Sequence, residues 1–253
     1  EEVNIKEQYD SLAELNLSNF FNTKKTIHLP YSDEPTVSII LVFYNQAHLS
    51  LLCLESIAKN ADVSYEVIIV DNNSKDSTIE LLKALRNAII IRNQENLGFV
   101  KAVNLAARQA RGKYFLLLNN DAILEPEALS RGTAVFKTQK KVGAVGGKIK
   151  LLDGSLQEAG SIIWDDGTCT GYGRGGNPDS PEFNFMRDVD YCSGAFLLTS
   201  NEMFHKLNGL DENFSPAYYE ETDFCVRIKK SGFRVIYEPN VEIIHYEFAS
   251  TGG

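Results

Sequence analysis

The sequence predicts an α/β domain built on a mostly parallel central sheet flanked by helices. Short apolar runs rich in β-branched residues alternate along the chain with segments of helical periodicity, a pattern typical of βαβ units. Several of these runs end in Asn or Asp, where the carboxyl ends of parallel strands form a ligand-binding edge. With 253 residues, 43% of them hydrophobic, the chain is long enough to bury a full core.

Composition narrows the classes of protein to consider. A formal net charge of -9 argues against a nucleic-acid-binding surface, which needs a basic patch. An anionic nucleotide ligand remains compatible with this charge if a metal or a few basic residues neutralise it locally. The four cysteines form no CxxC pair, so the sequence signals neither a zinc ribbon nor a thioredoxin motif. We expect a reducing, cytoplasmic setting, because the sequence shows no signal peptide and no apolar run long enough to span a bilayer.

The first 35 residues are predicted to form an N-terminal flanking arm outside the core. A helix is expected between Tyr9 and Phe21, followed by a linker that Pro30 and Pro35 bracket. The remaining residues, 36–253, are expected to form a single domain. The abrupt end at Ser250–Gly253 is compatible with one domain of a longer protein.

Residues 36–121 contain the regular alternation of strands and helices. The predicted strands are 36–45, 65–70, 88–91 and 113–118. Helices are expected at 46–60, after a cap at Asp76 or Ser77, and after the loop 96–99. Polar residues follow the first, second and fourth strands at Asn45, Asp71 and Asp121, and simple polar turns explain three such placements poorly.

Asn119-Asn120-Asp121 is the polar segment around which this arrangement is centred. One carboxylate beside two amide side chains suits a hard cation, Mg²⁺ or Mn²⁺ rather than zinc. We therefore expect Asp121 to hold a metal on a nucleotide diphosphate. The alternative is that the three residues form a polar turn that caps the next helix.

The pattern becomes less regular in residues 122–253. Helices are expected from 125–127 to about Gln139, from about Asn201, and from 220 to Ser231; strands are expected at 142–149, 189–199, 235–237 and 241–246. Residues 151–187 are loop-rich, and a mobile lid is the alternative to a plain surface loop. Their glycines do not form a dinucleotide-binding fingerprint, because no GxGxxG links a strand to a helix.

An acidic cluster, Glu220, Glu221 and Asp223, stands at the start of the helix that begins at 220. Three acids there could simply favour the helix dipole and cap free N–H groups. Alternatively, one of them is a general base, and neighbouring aromatic residues raise its pKa and stack on a sugar. His245, in an apolar strand, is either a core histidine or a metal ligand, and the second requires Asp121 nearby.

Taken in order, several motifs resemble family 2 glycosyltransferases of the GT-A fold. They are residues 36–45, Val70-Asp71-Asn72-Asn73-Ser74, Asn96-Leu97-Gly98-Phe99 with Asn104, Leu118-Asn119-Asn120-Asp121, Ser193-Gly194-Ala195 and residues 219–227. The resemblance covers about residues 36–250 and is closest to the bacterial polysaccharide branch of rhamnosyl- and galactofuranosyltransferases. It implies a nucleotide-binding half, 36–121, and an acceptor-binding half, 122–253, with a smaller antiparallel portion.

The resemblance implies roles for individual residues. Asp71 would bind the pyrimidine base, Asn45 would lie near the nucleoside, and Asn119 would lie near the ribose. Asn119-Asn120-Asp121 would be the DxD-type motif, although Asn119 replaces its first acid. Asp121 and His245 would hold the metal. The implied nucleotide-binding set is Asn45, Asp71, Asn73, Gly98, Asn119 and Asn120.

On the acceptor side, the resemblance implies that Glu221 is the catalytic base. Many members of the family carry Asp at this position, so the longer Glu is a departure. The implied supporting residues at the acceptor site are Glu220, Asp223, Tyr219 and Gly194.

The implied reaction is a single displacement that inverts the anomeric centre. A sugar would move from UDP or dTDP to a hydroxyl of a glycan or lipid-linked acceptor, with Mg²⁺ or Mn²⁺ as cofactor and with peripheral association at the inner face of the plasma membrane. Two other classes stay open. A nucleotidyltransferase would need a Gly-rich, basic phosphate loop, which residues 43–48 do not provide. In a non-catalytic nucleotide-sugar-binding module, the acidic cluster would be only a helix cap.

Overall fold

The computed structural model describes residues 4–247, and its elements alternate as the sequence predicts. The helices are α1 Ile5–Asn22, α2 Ala47–Asn60, α3 Thr78–Lys83, α4 Gly98–Ala107, α5 Ala128–Thr138, α6 Asn201–Lys206 and α7 Glu220–Lys230. The strands are β1 Ile27–His28, β2 Val37–Phe43, β3 Tyr65–Asp71, β4 Leu85–Arg86, β5 Ile89–Arg92, β6 Tyr114–Leu118, β7 Ala122–Leu124, β8 Val142–Lys150, β9 Leu156–Ala159, β10 Ser161–Ile163, β11 Cys169–Gly171, β12 Arg187–Asp188, β13 Phe196–Ser200 and β14 Arg234–His245.

A ten-stranded sheet forms the centre of the molecule. Its main path runs β12-β14-β8-β13-β6-β2-β3-β5, and β7 and β9 pair with β14 and β8. The strands β6, β2, β3 and β5 are mutually parallel, and so are β8 and β14. The antiparallel strand β13 joins these two groups by pairing with both β6 and β8. The α/β prediction with a smaller antiparallel portion is therefore confirmed.

The sheet is buried on both faces, which explains the continuous apolar runs of its central strands. Ile39 and Leu41 of β2 join a cluster with Leu51 and Leu54 of α2 on one face. Ile40, between them, joins the opposite cluster with Phe224 of α7. This alternation follows from the two-residue period of a strand. In the described part of the chain, no helix is both long and apolar enough to span a membrane.

The N-terminal arm is more closely integrated than predicted. The expected helix exists as α1, but Phe20, Ile27 and Leu29 are buried in the same cluster as β2. The strand β1 also pairs with β4 through Ile27 and Leu85. The prediction that the arm stays outside the core is therefore wrong for these residues, because their apolar side chains cover one face of the sheet.

The segment 151–187 is not simply a surface loop. It contains β9, which pairs with β8, and a hairpin in which β10 pairs with β11. Gln157 and Glu158 of β9 are both buried. Their polarity hid a buried strand from the sequence pattern, which relies on apolar residues.

In the second half of the domain, two element boundaries differ from prediction and one strand was not predicted. The strand expected at 189–199 begins only at Phe196, after a turn closed by the Phe196 N–H donating to the Ser193 carbonyl. The sequence reading missed β7, and α5 begins at Ala128 rather than at 125–127 because Glu127 adopts a left-handed φ of 62°.

The two late strands are one strand, β14, and not two strands separated by Pro239. Its pairing with β8 shifts register between Glu238 and Glu242, so Pro239 lies in a bulge where no ladder hydrogen bond is lost. Gly147 faces this bulge: a Cβ added there would lie 2.5 Å from Val241 Cγ1. The strand therefore continues to His245 and delivers it to the same edge as Asp121.

Candidate active site

A cavity of about 490 Å³ lies at the carboxyl edge of the parallel strands, between the two halves of the sheet. This volume is in the range of small-molecule sites. The residues that line it include Tyr44, Asn72, Asn96, Gly98, Asn119, Asn120, Asp121, Gln157, Ser193, Gly194, Tyr218, Glu220, Glu221, His245 and Glu247. The structure therefore brings the predicted metal and catalytic residues to one site.

Asp121 and His245 meet directly in the wall of this cavity. The Asp121 Oδ1 and His245 Nε2 atoms are 3.1 Å apart, and both side chains are buried. Asn119 Nδ2 lies 3.1 Å from the same imidazole nitrogen. The contact follows from the pairing of β14 with β7, which places His245 opposite Ala122.

Gln157 orients His245 from the far side of the ring. Its Oε1 lies 2.8 Å from His245 Nδ1. If Nδ1 carries the proton and donates it to this oxygen, the Nε2 lone pair points towards Asp121. Histidine ligands of metals are commonly held by such a second hydrogen bond.

These donors fit a divalent cation with open coordination positions. One carboxylate and one imidazole suit Mn²⁺ or Mg²⁺, with the remaining positions available to diphosphate oxygens and water. No group of three His, Cys, Asp or Glu residues within 4–247 could hold a metal by itself. The protein would therefore supply only part of the coordination shell.

The charge of the cavity supports the same conclusion. Four of the described lining residues carry carboxyl groups, namely Asp121, Glu220, Glu221 and Glu247, and the described lining contains no Lys or Arg. Glu247 is paired with Arg174 at 2.7 Å and the pKa of Glu220 is raised to about 8, so Asp121 and Glu221 account for most of the negative charge. An anionic diphosphate in this setting would be repelled unless a cation accompanies it.

Three predicted nucleotide-binding residues organise the edge of the cavity rather than line it. Asp71 is fully buried; its carboxylate accepts hydrogen bonds from the Ser74 N–H at 2.9 Å and from Arg92 Nε at 3.1 Å. Asn45 Oδ1 accepts from the Lys75 N–H, and Asn73 Nδ2 donates to the Gln94 carbonyl. Base and nucleoside contacts by these residues stay predictions, and Asn72 is the member of this segment that faces the cavity.

Gly98 and Asn120, both predicted to bind the nucleotide, line the cavity and also contact its surrounding walls. Gly98 has a φ of +77°, and a Cβ added to it would lie 2.9 Å from the Pro216 carbonyl oxygen. This glycine lets the start of α4 approach the 216–218 loop, which forms the opposite wall. Asn120 lines the cavity, and its Nδ2 donates to Ser50 Oγ at 2.9 Å.

Glu220 and Glu221 project into the cavity from the first turn of α7. The Oε2 atom of each is buried without a hydrogen-bond partner among the described residues. Burial raises the pKa of Glu220 to about 8, and the Glu221 charge adds to this shift. Burial also raises the pKa of Glu221, although N–H groups that include that of Gly194 oppose the shift. An unpaired carboxylate with a raised pKa is suited to accept a proton.

The other predicted acceptor-site residues divide into two groups. Gly194 lines the cavity, and a Cβ added there would lie 3.9 Å from Glu221 Cβ. Asp223 and Tyr219 are not among the described lining residues. Asp223 instead accepts a 2.7 Å hydrogen bond from Arg227 Nε, and the tyrosine that faces the cavity is Tyr218.

Sequence reasoning missed Gln157, Glu158 and Glu247 as parts of the site or its support, whereas Tyr218 is one of the aromatic residues expected beside the acidic cluster. Gln157 and Glu158 lie in a segment read as loop, and no spacing pairs them with His245 or Glu221. Asn72 was detectable, because it follows the strand that ends at Asp71.

The fold is that of the GT-A class of glycosyltransferases. Two solved structures support the fold. The first is the crystal structure of GalNAc-T7 with UDP, GalNAc and Mn²⁺, which superposes with a TM-score of 0.68 at 15% identity. The match covers 85% of this chain and 44% of the GalNAc-T7 chain. The mannosyltransferase PcManGT from Pyrobaculum calidifontis, in complex with GDP-Man and Mn²⁺, has a TM-score of 0.62 and 18% identity over 98% of this chain and 66% of its own.

The family model "Glycosyl transferase family 2" matches residues 38–206, and the chain belongs to this family. The O-antigen biosynthesis protein RfbC of Myxococcus xanthus is 28% identical over 88% of the chain. The N-acetylglucosaminyl-diphospho-decaprenol L-rhamnosyltransferase of Mycobacterium tuberculosis is 26% identical over 85% of the chain and 77% of that protein.

The chain spans only part of some relatives. It covers 18% of RfbC and 26% of the uncharacterized protein y4gI of Sinorhizobium fredii, which is 28% identical over 88% of the chain. These similarities agree with a bacterial polysaccharide branch of the family.

Proposed function

We propose that this protein transfers a sugar, with inversion, from a UDP- or dTDP-sugar to a hydroxyl of a glycan or lipid-linked acceptor in polysaccharide biosynthesis. The observation that carries the proposal is the composition of one cavity. It combines the Asp121–His245 pair, suited to a cation on a diphosphate, with Glu221, whose Oε2 is buried without a described partner.

Residues of this chain would accept the proton of the acceptor hydroxyl and orient that hydroxyl for attack. Glu221 Oε2 accepts the proton of the acceptor hydroxyl while the hydroxyl oxygen forms a bond to the anomeric carbon of the donor sugar. At the same time, the bond between that carbon and the diphosphate oxygen breaks. A single displacement from the face opposite the leaving group inverts that carbon. A divalent cation, when bound by Asp121 and His245, would neutralise the charge that develops on the diphosphate.

The two walls of the cavity suggest where each substrate lies. Asn72, Asn96 and Gly98 line the side formed by β3 and α4, which is suited to the nucleoside of the donor. Tyr218 is 60% exposed beside Glu220 and offers an aromatic face to a sugar acceptor. An N-acetylglucosaminyl-diphospho-decaprenol L-rhamnosyltransferase and an O-antigen biosynthesis protein are among the relatives, which supports a lipid-linked or glycan acceptor. Our proposal places this acceptor at the cytoplasmic face of the membrane.

A donor panel tests the proposal. The thermal midpoint would be measured with UDP-, dTDP- and GDP-sugars, each with Mn²⁺, Mg²⁺ or EDTA. A ligand that binds only the folded state raises the midpoint, so UDP- or dTDP-sugars should do so with metal and fail to do so with EDTA. A response to GDP-sugars alone would contradict the proposed donor class.

Product analysis then separates transfer from the two other classes. Nucleoside diphosphate release that rises on addition of acceptor indicates transfer, whereas release of inorganic pyrophosphate from a nucleoside triphosphate would indicate a nucleotidyltransferase. Donor binding without diphosphate release with any acceptor would leave only a binding module.

A further inference from the structure

Glu158 is a buried carboxyl group beside the active-site cavity. It lies in β9, opposite Ile149 of β8, and only 6% of its surface is exposed. The backbone of β11 covers it, since a Cβ added to Gly171 would lie 2.9 Å from Glu158 Cβ. A charged side chain is rarely buried in this way without a specific partner.

The partner of Glu158 is the turn that also contacts Glu221. Glu158 Oε1 accepts a 3.1 Å hydrogen bond from the Ser193 N–H. The next residue of this turn, Gly194, lines the cavity against the Glu221 side chain: a Cβ added to it would lie 3.9 Å from Glu221 Cβ. The turn that binds one buried carboxyl group therefore lies against the other.

The same turn reaches the metal-binding side of the cavity. The Ala195 carbonyl accepts a hydrogen bond from the Asn119 N–H at 3.2 Å, and the Phe196 N–H donates to the Ser193 carbonyl. A displacement of Ser193 would therefore move Gly194 and disturb the geometry of Glu221. Beyond the turn, β13 pairs directly with β6, which fixes its far end.

Glu158 and Glu221 also interact through their charges. Burial raises the pKa of Glu158 to about 7, the hydrogen bond from the Ser193 N–H opposes this rise, and the Glu221 charge adds to it. Because the ionised Glu221 raises the pKa of Glu158, Glu221 releases its proton first, while Glu158 is still neutral. The other titratable or charged groups that act on Glu158, or on which it acts, are Arg174, Tyr191, Cys192, Cys225 and His245.

We propose that Glu158 is a positioning residue for Glu221, acting through the Ser193–Gly194 turn that both carboxyl groups contact. Glu158 does not line the cavity and takes no proton from the acceptor. It holds the turn in register against the Glu221 side chain. This inference rests on the proposed role of Glu221 as base.

Two substitutions separate the hydrogen bond from the charge. Glu158→Gln keeps an oxygen for the Ser193 N–H and removes the charge, whereas Glu158→Ala removes both. Glu182→Gln is the matched control, because Glu182 is exposed in the neighbouring segment. Circular dichroism melting establishes that each variant folds.

The first measurement does not require turnover. In protein labelled with ¹³C at glutamate carboxyl groups, the Glu158 signal is assigned by its loss in Glu158→Gln and is followed against pH. In Glu221→Gln the Glu158 midpoint should move down by about half a pH unit, because a neighbouring negative charge is gone. An unchanged Glu158 midpoint in a folded Glu221→Gln protein would show that the two carboxyl groups do not share the turn as proposed.

The second measurement is the pH profile of sugar transfer. In Glu158→Gln the acidic limb should stay where it is in wild type, because Glu158 is neutral while Glu221 ionises, and kcat at high pH should be within about threefold of wild type. Glu158→Ala should lower kcat at least tenfold with the donor KM within about threefold. If Glu158→Ala has a wild-type kcat, or a kcat reduced only in proportion to lost folded protein, the positioning role is wrong.

The two measurements also separate this inference from the proposed function. A shifted Glu158 midpoint in a protein that transfers no sugar would refute the function and retain the contact between the two carboxyl groups. Sugar transfer together with an unshifted Glu158 midpoint would support the function and refute that contact. If Glu158→Gln does not fold, Glu158→Asp replaces it: the shorter side chain should lose the Ser193 hydrogen bond, so kcat should fall with the donor KM within about threefold, and a wild-type kcat would overturn the proposal.

Discussion

The two halves of the active-site cavity treat their polar groups differently. In residues 36–121, the carboxylate of Asp71, the Oδ1 of Asn45 and the Nδ2 of Asn73 all form hydrogen bonds within the protein. In residues 122–247, Glu220 and Glu221 each keep a buried oxygen without a described partner. A fully satisfied network gives a rigid surface for binding, whereas an unsatisfied buried carboxyl group is costly and is suited to chemistry.

The largest expected effect comes from Glu221→Gln, which tests the unsatisfied half. The amide keeps the shape of the side chain but cannot accept a proton, so transfer should fall by a factor of about 10³ or more. Donor affinity, measured calorimetrically with Mn²⁺, should change by less than about threefold.

Glu212→Gln is the control for this experiment, because Glu212 is exposed and is not among the residues that line the cavity. It should behave as wild type. Full transfer activity in Glu221→Gln would assign the base to another residue, with Glu220 the next candidate in the cavity.

Asp121→Ala is expected to have the next largest effect, on metal-dependent binding of the donor. The substitution removes the oxygen that lies 3.1 Å from His245 Nε2, so the cation loses its only carboxylate in this pair. Calorimetry with Mn²⁺ should show donor affinity reduced by about 30-fold or more, while the weak affinity in EDTA stays as in wild type.

The exposed Asp165→Ala serves as control and should bind the donor normally with Mn²⁺. Equal donor affinities of Asp121→Ala and wild type in the presence of metal would remove Asp121 from the cation site. Such a result would also leave the acidic cavity without its proposed neutralising group.

The two halves also differ in how well the sequence predicts them. Strands β2, β3 and β6 are apolar on both faces and end in polar residues, so their bounds and their common edge could be read directly. In the second half, β9 carries buried Gln157 and Glu158, and β14 continues past Pro239 through a bulge. Both features depend on partners distant in sequence, which no local pattern reports.

The site shows the same division. The role of Asp121 in the site was predictable because Asp121 follows a buried strand. The role of His245 was predictable only on the condition that the fold brings it to the same edge of the sheet. The Ser193 N–H that donates to Glu158 lies 35 positions away from it along the chain. A local sequence pattern cannot find a turn that binds one buried carboxyl group and lies against another.

Asp71→Asn tests whether the satisfied half is rigid because of its hydrogen bonds. Asn cannot accept at both positions as strongly as the carboxylate that binds the Ser74 N–H and Arg92. We expect the free energy of unfolding to fall by about 2–3 kcal/mol, the cost of weakening buried hydrogen bonds to a charged group. Urea denaturation measures this value, with the exposed Asp179→Asn as control. A loss equal to that of the control would show that Asp71 is not needed to organise the edge.

The smallest expected effect is the pH dependence of stability that Glu220 contributes. Its pKa in the folded protein is raised to about 8 by burial and by Glu221, whereas the unfolded value is ordinary. Between these two values the unfolded chain has released the proton that the folded protein retains. The contribution is therefore complete at pH below about 4 and is lost as the pH rises through about 8.

Glu220→Gln removes this titration, so stability should decline less steeply with pH in the variant than in wild type. Because the carboxyl group faces a cavity that admits water, we expect the difference between pH 5 and pH 9 to be on the order of 1 kcal/mol rather than the full value of the pKa shift. Urea denaturation at a series of pH values measures it, and the exposed Glu95→Gln provides the control. If the free energy of unfolding depends on pH in the same way in wild type and Glu220→Gln, Glu220 is already ionised in the folded protein. The surroundings of Glu220 in the cavity would then be more polar than its burial implies.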